Sequence, residues 1–307
     1  MNIVLKVAAI LAQFGARQGV VRRLNDDHTI MVVHDGDVAK YPGLESLRAY
    51  AQDYTWVEQV LRPCGSSRNL FFRKQCMVLK VLQTLPLGSW LFVSDADVAV
   101  VHSRPLSSFT RGITTDVILY ERFHNNEICA GLYFVRHTVA GVAFMKKWIS
   151  MERFGGANAD NGALIAMLAN NAECHDEWLN TGRQGYFHFV STCKRAMGLL
   201  DCSPFGTPRV VGGATVLRRG HGMALDFFIM GEGHGPLEDQ GGVAWPWAFL
   251  IHGVKRGGHR LRGQITAAGI KMPIVLQHDD AVALMRRRDR ERRQVHTACF
   301  VHCSSTE

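Results

Sequence analysis

The chain has 307 residues, a formal net charge of +8 and 47% hydrophobic residues. This length allows one large domain with an appendage, and this hydrophobic content excludes a disordered chain. Half of the net charge comes from residues 286–293, where six arginines stand against two acidic residues. The other basic residues are scattered, so we expect no nucleic-acid-binding surface. The eight cysteines are too sparse to predict a disulfide scaffold.

The two ends of the chain are predicted to lie outside the main domain. Residues 1–27 form a leader or N-terminal helix, in which positions 3–14 are mostly apolar. These positions could be a clipped signal anchor, a poor signal peptide or a packed helix, so any membrane association would use this segment. No run reaches the roughly 18 apolar residues of a membrane span. Residues 28–260 form the main domain, and residues 261–307 form a basic tail.

The first half of the chain alternates apolar runs of strand length with segments of helical spacing. Residues 29–33 and 56–61, and the apolar run that begins at residue 90 and has an Asp-x-Asp at its end, predict buried strands, whereas residues 44–54 and 71–85 predict helices. Strands that alternate with helices in this way are typical of right-handed βαβ units. The sequence therefore predicts an α/β protein with a doubly wound sheet flanked by helices.

The second half continues this pattern and then becomes harder to interpret. Residues 116–120 and 130–135 predict strands, and residues 139–148 and 163–168 predict helices. Residues 173–245 are rich in glycine, histidine and tryptophan. We expect this region to form irregular loops and small strands over a pocket.

Two acidic residues follow the apolar run that begins at Trp90. Asp95 and Asp97 are costly to bury without a partner, because an isolated charge in an apolar environment loses several kcal/mol of hydration. Hard oxygen ligands suit Mn²⁺ or Mg²⁺, and these ions are commonly shared with substrate phosphates. The sequence thus predicts a metal–diphosphate site at the carboxyl end of a central strand. The alternative is a structural loop or a helix cap.

A second group of polar residues ends the predicted core. His252 could supply a third metal ligand, Gly253 would let the backbone approach a phosphate, and Lys255 would add a positive charge. The plain alternative is a core histidine with satisfied hydrogen bonds.

A third candidate is the pair Asp160 and Asn161, which precedes a predicted helix. Asp160 is well suited to be the N-cap of that helix. The functional interpretation is that both side chains point into the pocket and hold sugar hydroxyls. One residue can do both.

Together these motifs resemble GT-A-type glycosyltransferases, and most closely an uncharacterised glycosyltransferase-like family expanded in nematodes. The resemblance extends more distantly to the galactosyl/mannosyl/xylosyltransferase family. It covers roughly residues 28–255 and rests on these segments: 72–76, 90–100, 122–131, 160–163 and 252–255. It implies a GT-A-like fold with a mixed, mostly parallel sheet.

The resemblance also implies residue roles. Asp95, Asp97 and His252 would hold Mn²⁺ or Mg²⁺. The donor nucleotide would be contacted by a set of cofactor-binding residues, namely Lys255, Gly253, Arg73, Gly131 and Asp95. Asp160, Asn161 and Glu127 would be catalytic. Cys129 stands where relatives often have Asn or Ala, which leaves the choice of donor sugar open.

The implied activity is transfer of a hexose or pentose from a UDP-sugar to a glycan or protein hydroxyl, with retention at the anomeric carbon. Retention would follow from attack on the face that UDP leaves, or from a covalent intermediate on Glu127 or Asp160. The alternatives are an inactive sugar-nucleotide- or glycan-binding protein and a phosphohydrolase or nucleotidyltransferase. The resemblance favours the Golgi lumen, with the cytoplasm as second choice.

Overall fold

A computed structural model gives the structure of most of the chain. The residues that it describes are 27–41, 43–100, 103–122, 127–181, 185–199, 207–218, 221–226, 243–244, 249–252, 265–266, 269–270 and 274–275. The predicted leader apart from residue 27, Gly253, Lys255 and most of the basic tail lie outside these residues. The expectations for those segments stay predictions.

The strands are short and lie along the whole described chain. They are β1 His28–His34, β2 Thr55–Val60, β3 Trp90–Asp95, β4 Val98–Val100, β5 Val117–Glu121, β6 Ile128–Arg136, β7 Arg209–Val211, β8 Ala214–Leu217, β9 Ala224–Asp226, β10 Val243–Ala244, β11 Leu250–His252, β12 Ile265–Thr266, β13 Gly269–Ile270 and β14 Ile274–Val275.

The helices lie mainly in the middle of the chain. They are α1 Leu44–Tyr50, α2 Leu70–Leu82, α3 Ser107–Thr110, α4 Val139–Ser150, α5 Ala159–Ala169, α6 Ala172–Asn180 and α7 Tyr186–Ala196, with 3-10 turns at Val38–Lys40, Ala51–Asp53 and Met151–Phe154. Among the described residues, none of these helices combines the length and apolarity that crossing a membrane requires.

Seven of the described strands form the central sheet, in the order β2-β1-β3-β6-β5-β8-β7. Strand β1 is parallel to β2 and β3, and β5 is parallel to β8, whereas β6 and β7 are antiparallel to their neighbours. Five of the seven strands therefore run in one direction. This confirms the predicted α/β class with a mixed, mostly parallel sheet flanked by helices.

Strand β6 departs from the uniform βαβ winding that the alternation predicted. It follows β5 after residues 122–127 only. A parallel crossover needs a dozen residues or more, so this short connection enforces an antiparallel pair.

The apolar residues on either side of Asp95 and Asp97 belong to two different strands. Strand β3 ends at Asp95, and β4 begins at Val98 in a separate sheet, where it pairs with β11. The chain turns between the two strands, at the two acidic residues. Because β3 lies between β1 and β6, the turn is at the carboxyl end of a central strand, as predicted.

The sheet has a buried apolar layer on each face. In β1, Met31 and Val33 face one layer, and Ile30 and Val32 face the other. The first layer lies under helices α2 and α4 to α7, and the second lies under α1, α3 and the small sheet that contains β11. This alternation buries strand β1 on both sides, which is why its sequence reads as a continuous apolar run.

The region 173–245 contains more regular structure than expected. Residues 172–180 form α6 and residues 186–196 form α7, and the disulfide Cys174–Cys193 joins the two helices. In α6 the buried residues are only Cys174 and Trp178, so the apolar stripe is too narrow to be recognised in the sequence. A second disulfide joins Cys64 to Cys76. The sequence did not predict these two pairs, and the large apolar layers on both faces of the sheet agree with the expectation that the fold is not a disulfide scaffold.

Candidate metal centre

Three predicted metal ligands converge at the carboxyl end of β3. The antiparallel pairing of β11 with β4 sets His252 opposite Val98, directly after Asp97. The Nε2 atom of His252 lies 3.8 Å from Oδ2 of Asp95 and 3.5 Å from Oδ1 of Asp97. One ligand atom from each of the three residues lies within 4.8 Å of the others. Strand pairing thus brings together side chains that are far apart in the sequence.

The chemistry of this group fits a divalent cation. Two carboxylates and an imidazole are the ligands that Mn²⁺ and Mg²⁺ accept, and the side chains of Asp97 and His252 are buried. The side chain of Asp95 is 31% exposed, so the group can be reached from solvent on that side. Its shape and burial are therefore suited to a cation that is shared with a ligand.

Gly131 supplies the space that this group needs. A Cβ atom at this position would lie 2.6 Å from Oδ2 of Asp95 and 3.1 Å from Nε2 of His252. Any side chain would therefore displace a ligand atom. This places the predicted donor-site residue Gly131 directly against the metal ligands.

The second ring nitrogen of His252, Nδ1, has several neighbours, and Sγ of Cys129 is one of them at 3.9 Å. The hydroxyl of Tyr120 lies 3.3 Å from Nδ1, and Nη2 of Arg122 lies 3.2 Å from it. Cation binding through Nε2 requires the ring proton on Nδ1, where the Tyr120 oxygen can accept it. A guanidinium can only donate, so the Arg122 contact corresponds to the other tautomer.

Lys74 is a site residue that sequence reasoning missed. Its Nζ lies 3.0 Å from Oδ1 of Asp95, 2.9 Å from the carbonyl oxygen of Ala130 and 3.7 Å from Oδ2 of Asp160. Burial alone would lower the pKa of the Lys74 ammonium, but the two carboxylates raise it well above its usual value. Burial alone would likewise raise the pKa of Asp95, and the charge of Lys74 lowers it. A signal was present in the sequence, because Lys74 stands on the buried stripe of α2 with Phe72 and Val78.

Asp160 and Asn161 lie in the first turn of α5, next to Lys74. Because this helix begins at Ala159 and its N-cap is Asn158, the N-cap interpretation of Asp160 is wrong. Oδ2 of Asp160 accepts a hydrogen bond of 2.8 Å from Gln75, and burial raises the pKa of this carboxyl despite the charge of Lys74. Oδ1 of Asn161 accepts from the backbone N–H of Ala130 at 2.6 Å. Their contact with a sugar stays a prediction.

The turn that leads into α5 has an unusual backbone. Asn158 and Ala159 have φ angles of 55° and 44°, in the left-handed region that Ala rarely adopts. A Cβ on Gly156 would lie 2.3 Å from the ring of Trp178, so the backbone packs directly on this indole. The indole nitrogen also donates to the carbonyl of Ala157 at 2.9 Å. This packing holds the turn that sets the direction of Asp160.

The remaining predicted residues are less central. Glu127 is buried and bonded to several side chains, of which Arg122 is one at 2.9 Å. Nε of Arg73 donates to the carbonyl of Ser67 at 3.1 Å, in the loop before α2. Gly253 and Lys255 follow β11 but lie outside the described residues. The nucleotide contacts of these residues stay predictions.

Comparison with known proteins gives one family match. The family described as "Protein of unknown function, DUF273" matches residues 47–241, which is more than half of the chain and includes both aspartates of the site. No curated protein matches the chain.

Solved structures with some similarity include three glycosyltransferases. An enzyme involved in glycosylation of the major capsid of PBCV-1 is 17% identical, with 45% of this chain and 74% of that chain covered and a TM-score of 0.38. GlyE of Streptococcus pneumoniae TIGR4 is 12% identical, with 74% and 54% covered and a TM-score of 0.37, so this chain spans about half of its length. The galactosyltransferase LgtC, solved with donor and acceptor sugar analogues, is 13% identical, with 73% and 86% covered and a TM-score of 0.34. Similarities at these TM-scores assign no function.

Proposed function

The chain belongs to the DUF273 family of proteins of unknown function, and from this premise we propose that it is a metal-dependent glycosyltransferase that uses a UDP-sugar. The observation that carries the proposal is the convergence of Asp95, Asp97 and His252 at the carboxyl end of a central strand. In open α/β sheets this edge is where ligands bind. The sequence resemblance to GT-A-type enzymes supplies the reaction class.

The proposed roles follow from the geometry of the site. A bound Mn²⁺ or Mg²⁺ would supply Lewis-acid stabilisation of the charge that develops on the departing diphosphate. Asp95, Asp97 and His252 would hold it, and Gly131 keeps the space beside them open. Gly253 and Lys255 follow His252 directly in the sequence, so we propose that they contact the same diphosphate.

The donor sugar would lie beside the first turn of α5. Lys74 holds one oxygen of Asp95 and also contacts Asp160, so the metal ligand and the predicted sugar-binding carboxylate share one ammonium. The backbone of Ala130 fixes Oδ1 of Asn161, which leaves the amide NH₂ of this side chain as the group that would donate to a sugar hydroxyl. We propose retention of the anomeric configuration, with Asp160 as the carboxylate nearest to the sugar.

The two disulfides support a location in the secretory pathway, such as the Golgi lumen. Disulfides persist in oxidising compartments and are rare in the cytosol. Glycans and glycoproteins are the acceptors that such a compartment offers. The identity of the sugar is left to experiment.

The proposal is tested by release of UDP from a panel of UDP-sugars. We expect turnover in Mn²⁺, loss of turnover in EDTA and recovery when Mn²⁺ is added back. Asp97→Ala should abolish turnover. The matched control is Asp37→Ala, which removes a carboxylate whose side chain is 54% exposed and should leave turnover unchanged.

Three outcomes would overturn parts of the proposal. Turnover that is equal in EDTA and in Asp97→Ala would remove the metal from the mechanism. Calorimetric binding of UDP without turnover on any donor would identify a sugar-nucleotide-binding protein instead. Release of phosphate or pyrophosphate in place of UDP would indicate a hydrolase or nucleotidyltransferase.

A further inference from the structure

Glu127 is a buried carboxylate that contacts three parts of the chain around the metal centre. Its Oε2 accepts from Nη1 of Arg122 at 2.9 Å, just after β5. Its Oε1 accepts from Nδ2 of Asn158 at 2.6 Å, in the turn before α5, and from the hydroxyl of Tyr186, at the start of α7. Its side chain is 2% exposed. Both oxygens therefore already accept hydrogen bonds.

Arg122 connects this carboxylate to a metal ligand. The same guanidinium that donates to Glu127 has its other terminal nitrogen 3.2 Å from Nδ1 of His252. A positive charge at this distance from an imidazole opposes cation binding by that imidazole. The carboxylate of Glu127 compensates this charge and fixes where the guanidinium lies.

Asn158 connects Glu127 to the other side of the site. This residue is the N-cap of α5 and has a left-handed backbone, two positions before Asp160. Its side-chain bond to Glu127 holds this turn, since the capping residue makes no hydrogen bond from its side chain to the helix. One carboxylate is thus bonded to groups that adjoin both the metal ligand His252 and the predicted sugar-binding residue Asp160.

We propose that Glu127 is a positioning residue that couples His252 to the N-terminal turn of α5 and keeps the metal site able to bind its cation. This inference rests on the proposed function, and it adds a residue that supports the proposed metal centre. It assigns Glu127 a role other than the nucleophile that sequence reasoning considered. A carboxylate that makes hydrogen bonds through both oxygens at 2% exposure is held in place by its partners rather than available for attack.

The test measures Mn²⁺ binding by calorimetry to the metal-free full chain, without donor. Glu127→Gln should weaken Mn²⁺ binding by about 10- to 100-fold, because residues behind metal ligands have effects of this size. Tyr186→Phe keeps the carboxylate of Glu127 and removes one hydrogen-bond donor to it. We therefore expect Mn²⁺ binding to weaken by about two- to tenfold, because Glu127 would be held less firmly. The matched control is Glu152→Gln, whose carboxylate accepts from the backbone of Arg68 and Asn69. Its Mn²⁺ affinity should be unchanged.

A second measurement separates positioning from nucleophilic attack. If Glu127 were the nucleophile, Glu127→Gly would regain turnover with added azide and form a glycosyl azide, and Glu127→Gln would bind Mn²⁺ as the wild type does. Either result overturns the inference. Wild-type protein that binds no Mn²⁺ would instead overturn the proposed metal centre. Should Glu127→Gln fail to fold, as its melting curve would show, equal Mn²⁺ affinity in Tyr186→Phe and the wild type would still overturn the inference.

Discussion

Two groups of buried charges lie at the same edge of the sheet, and they are built in opposite ways. At the end of β5, Glu121 accepts from Nζ of Lys194 in α7 and, at 2.7 Å, from Nε of Arg218 after β8. We name these three residues the ion cluster. At the end of β3, the carboxylates of Asp95, Asp97 and Asp160 gather around His252 and Lys74. In the ion cluster one carboxylate contacts two cations, whereas at the metal centre three carboxylates lie near one lysine and one histidine.

This difference separates a group that supports the fold from one that is arranged for a ligand. In the ion cluster, the single carboxylate bonds both cations directly, and it joins α7 to two strands. At the metal centre, the carboxylates of Asp95 and Asp97 both approach the ring of His252, and Gly131 leaves room beside Asp95 and His252. Like charges converge at a cost, so this arrangement is consistent with the proposed cation site. Substitutions in the ion cluster should therefore lower mainly the stability, whereas substitutions at the metal centre should lower mainly the activity.

The largest effect on activity is expected at the metal centre. Asp97→Asn should lower kcat/KM by about 10⁴-fold, or about 5 kcal/mol, because it removes a charged metal ligand. The free energy of unfolding of the metal-free protein should fall by less than about 1 kcal/mol, since the substitution also removes one of two adjacent like charges. UDP release and urea unfolding measure the two quantities. A metal-free variant that unfolds much more easily would mean that Asp97 is structural.

The largest effect on stability is expected in the ion cluster. Glu121→Gln should lower the free energy of unfolding by about 4 kcal/mol, because Lys194 and Arg218 would be left as buried cations without this counter-charge. Urea denaturation checks this value. Unchanged stability in this variant would break the distinction between the two groups.

Removal of the disulfide beside the ion cluster should have a somewhat smaller effect. The double variant Cys174→Ser with Cys193→Ser opens a link across 19 positions, which should cost about 3 kcal/mol of stability. Cys193 adjoins Lys194 in the sequence. When the disulfide is removed together with Glu121→Gln, the loss of stability should therefore be smaller than the sum of the two separate losses. A double-variant cycle, measured by urea denaturation, tests this coupling. Full additivity would show that the disulfide and the ion cluster act separately.

The smallest expected effect concerns the space at the metal centre. Gly131→Ala should weaken Mn²⁺ binding by about tenfold, or about 1.4 kcal/mol, because the added methyl group meets Asp95 and His252. The control is Gly185→Ala, where the three atoms nearest to the added methyl group belong to the side chain of Thr181. Calorimetry with MnCl₂ compares the two variants. Equal affinities would mean that the ligands adjust without cost.

The sequence allowed prediction of the parts of this arrangement that depend on local apolar patterns. Strands β1, β2, β3, β5 and β6 are apolar runs bounded by polar residues, and their alternation with helices predicted the α/β class. Asp95 and Asp97 were recognisable because acidic residues directly after a buried strand are unusual. His252 was proposed as a third ligand from its residue type, with Gly253 and Lys255 beside it, and the resemblance gave it the same role. The pairing of β11 with β4, which brings His252 to these aspartates, is a long-range contact.

The parts that could not be predicted depend on contacts between distant segments. The position of Lys74 on the buried stripe of α2 was visible in the sequence, but only the folded chain sets Asp95, Ala130 and Asp160 around it. Helix α6 was missed because its buried residues are only Cys174 and Trp178 and polar residues dominate its composition. Disulfide partners are likewise a property of three-dimensional distance, and the spacing of cysteines gives no direct signal for it.

The site takes its third ligand from β11, which lies roughly 150 positions beyond β3 in the sequence. A cation bound there would therefore act as a crosslink that can be removed with a chelator. It would tie the last strand of the small sheet to the centre of the large one, and the longest loops are those whose closure restricts an unfolded chain most. Chelation should then make the segment around His252 more accessible to proteases before any change at the amino-terminal strands.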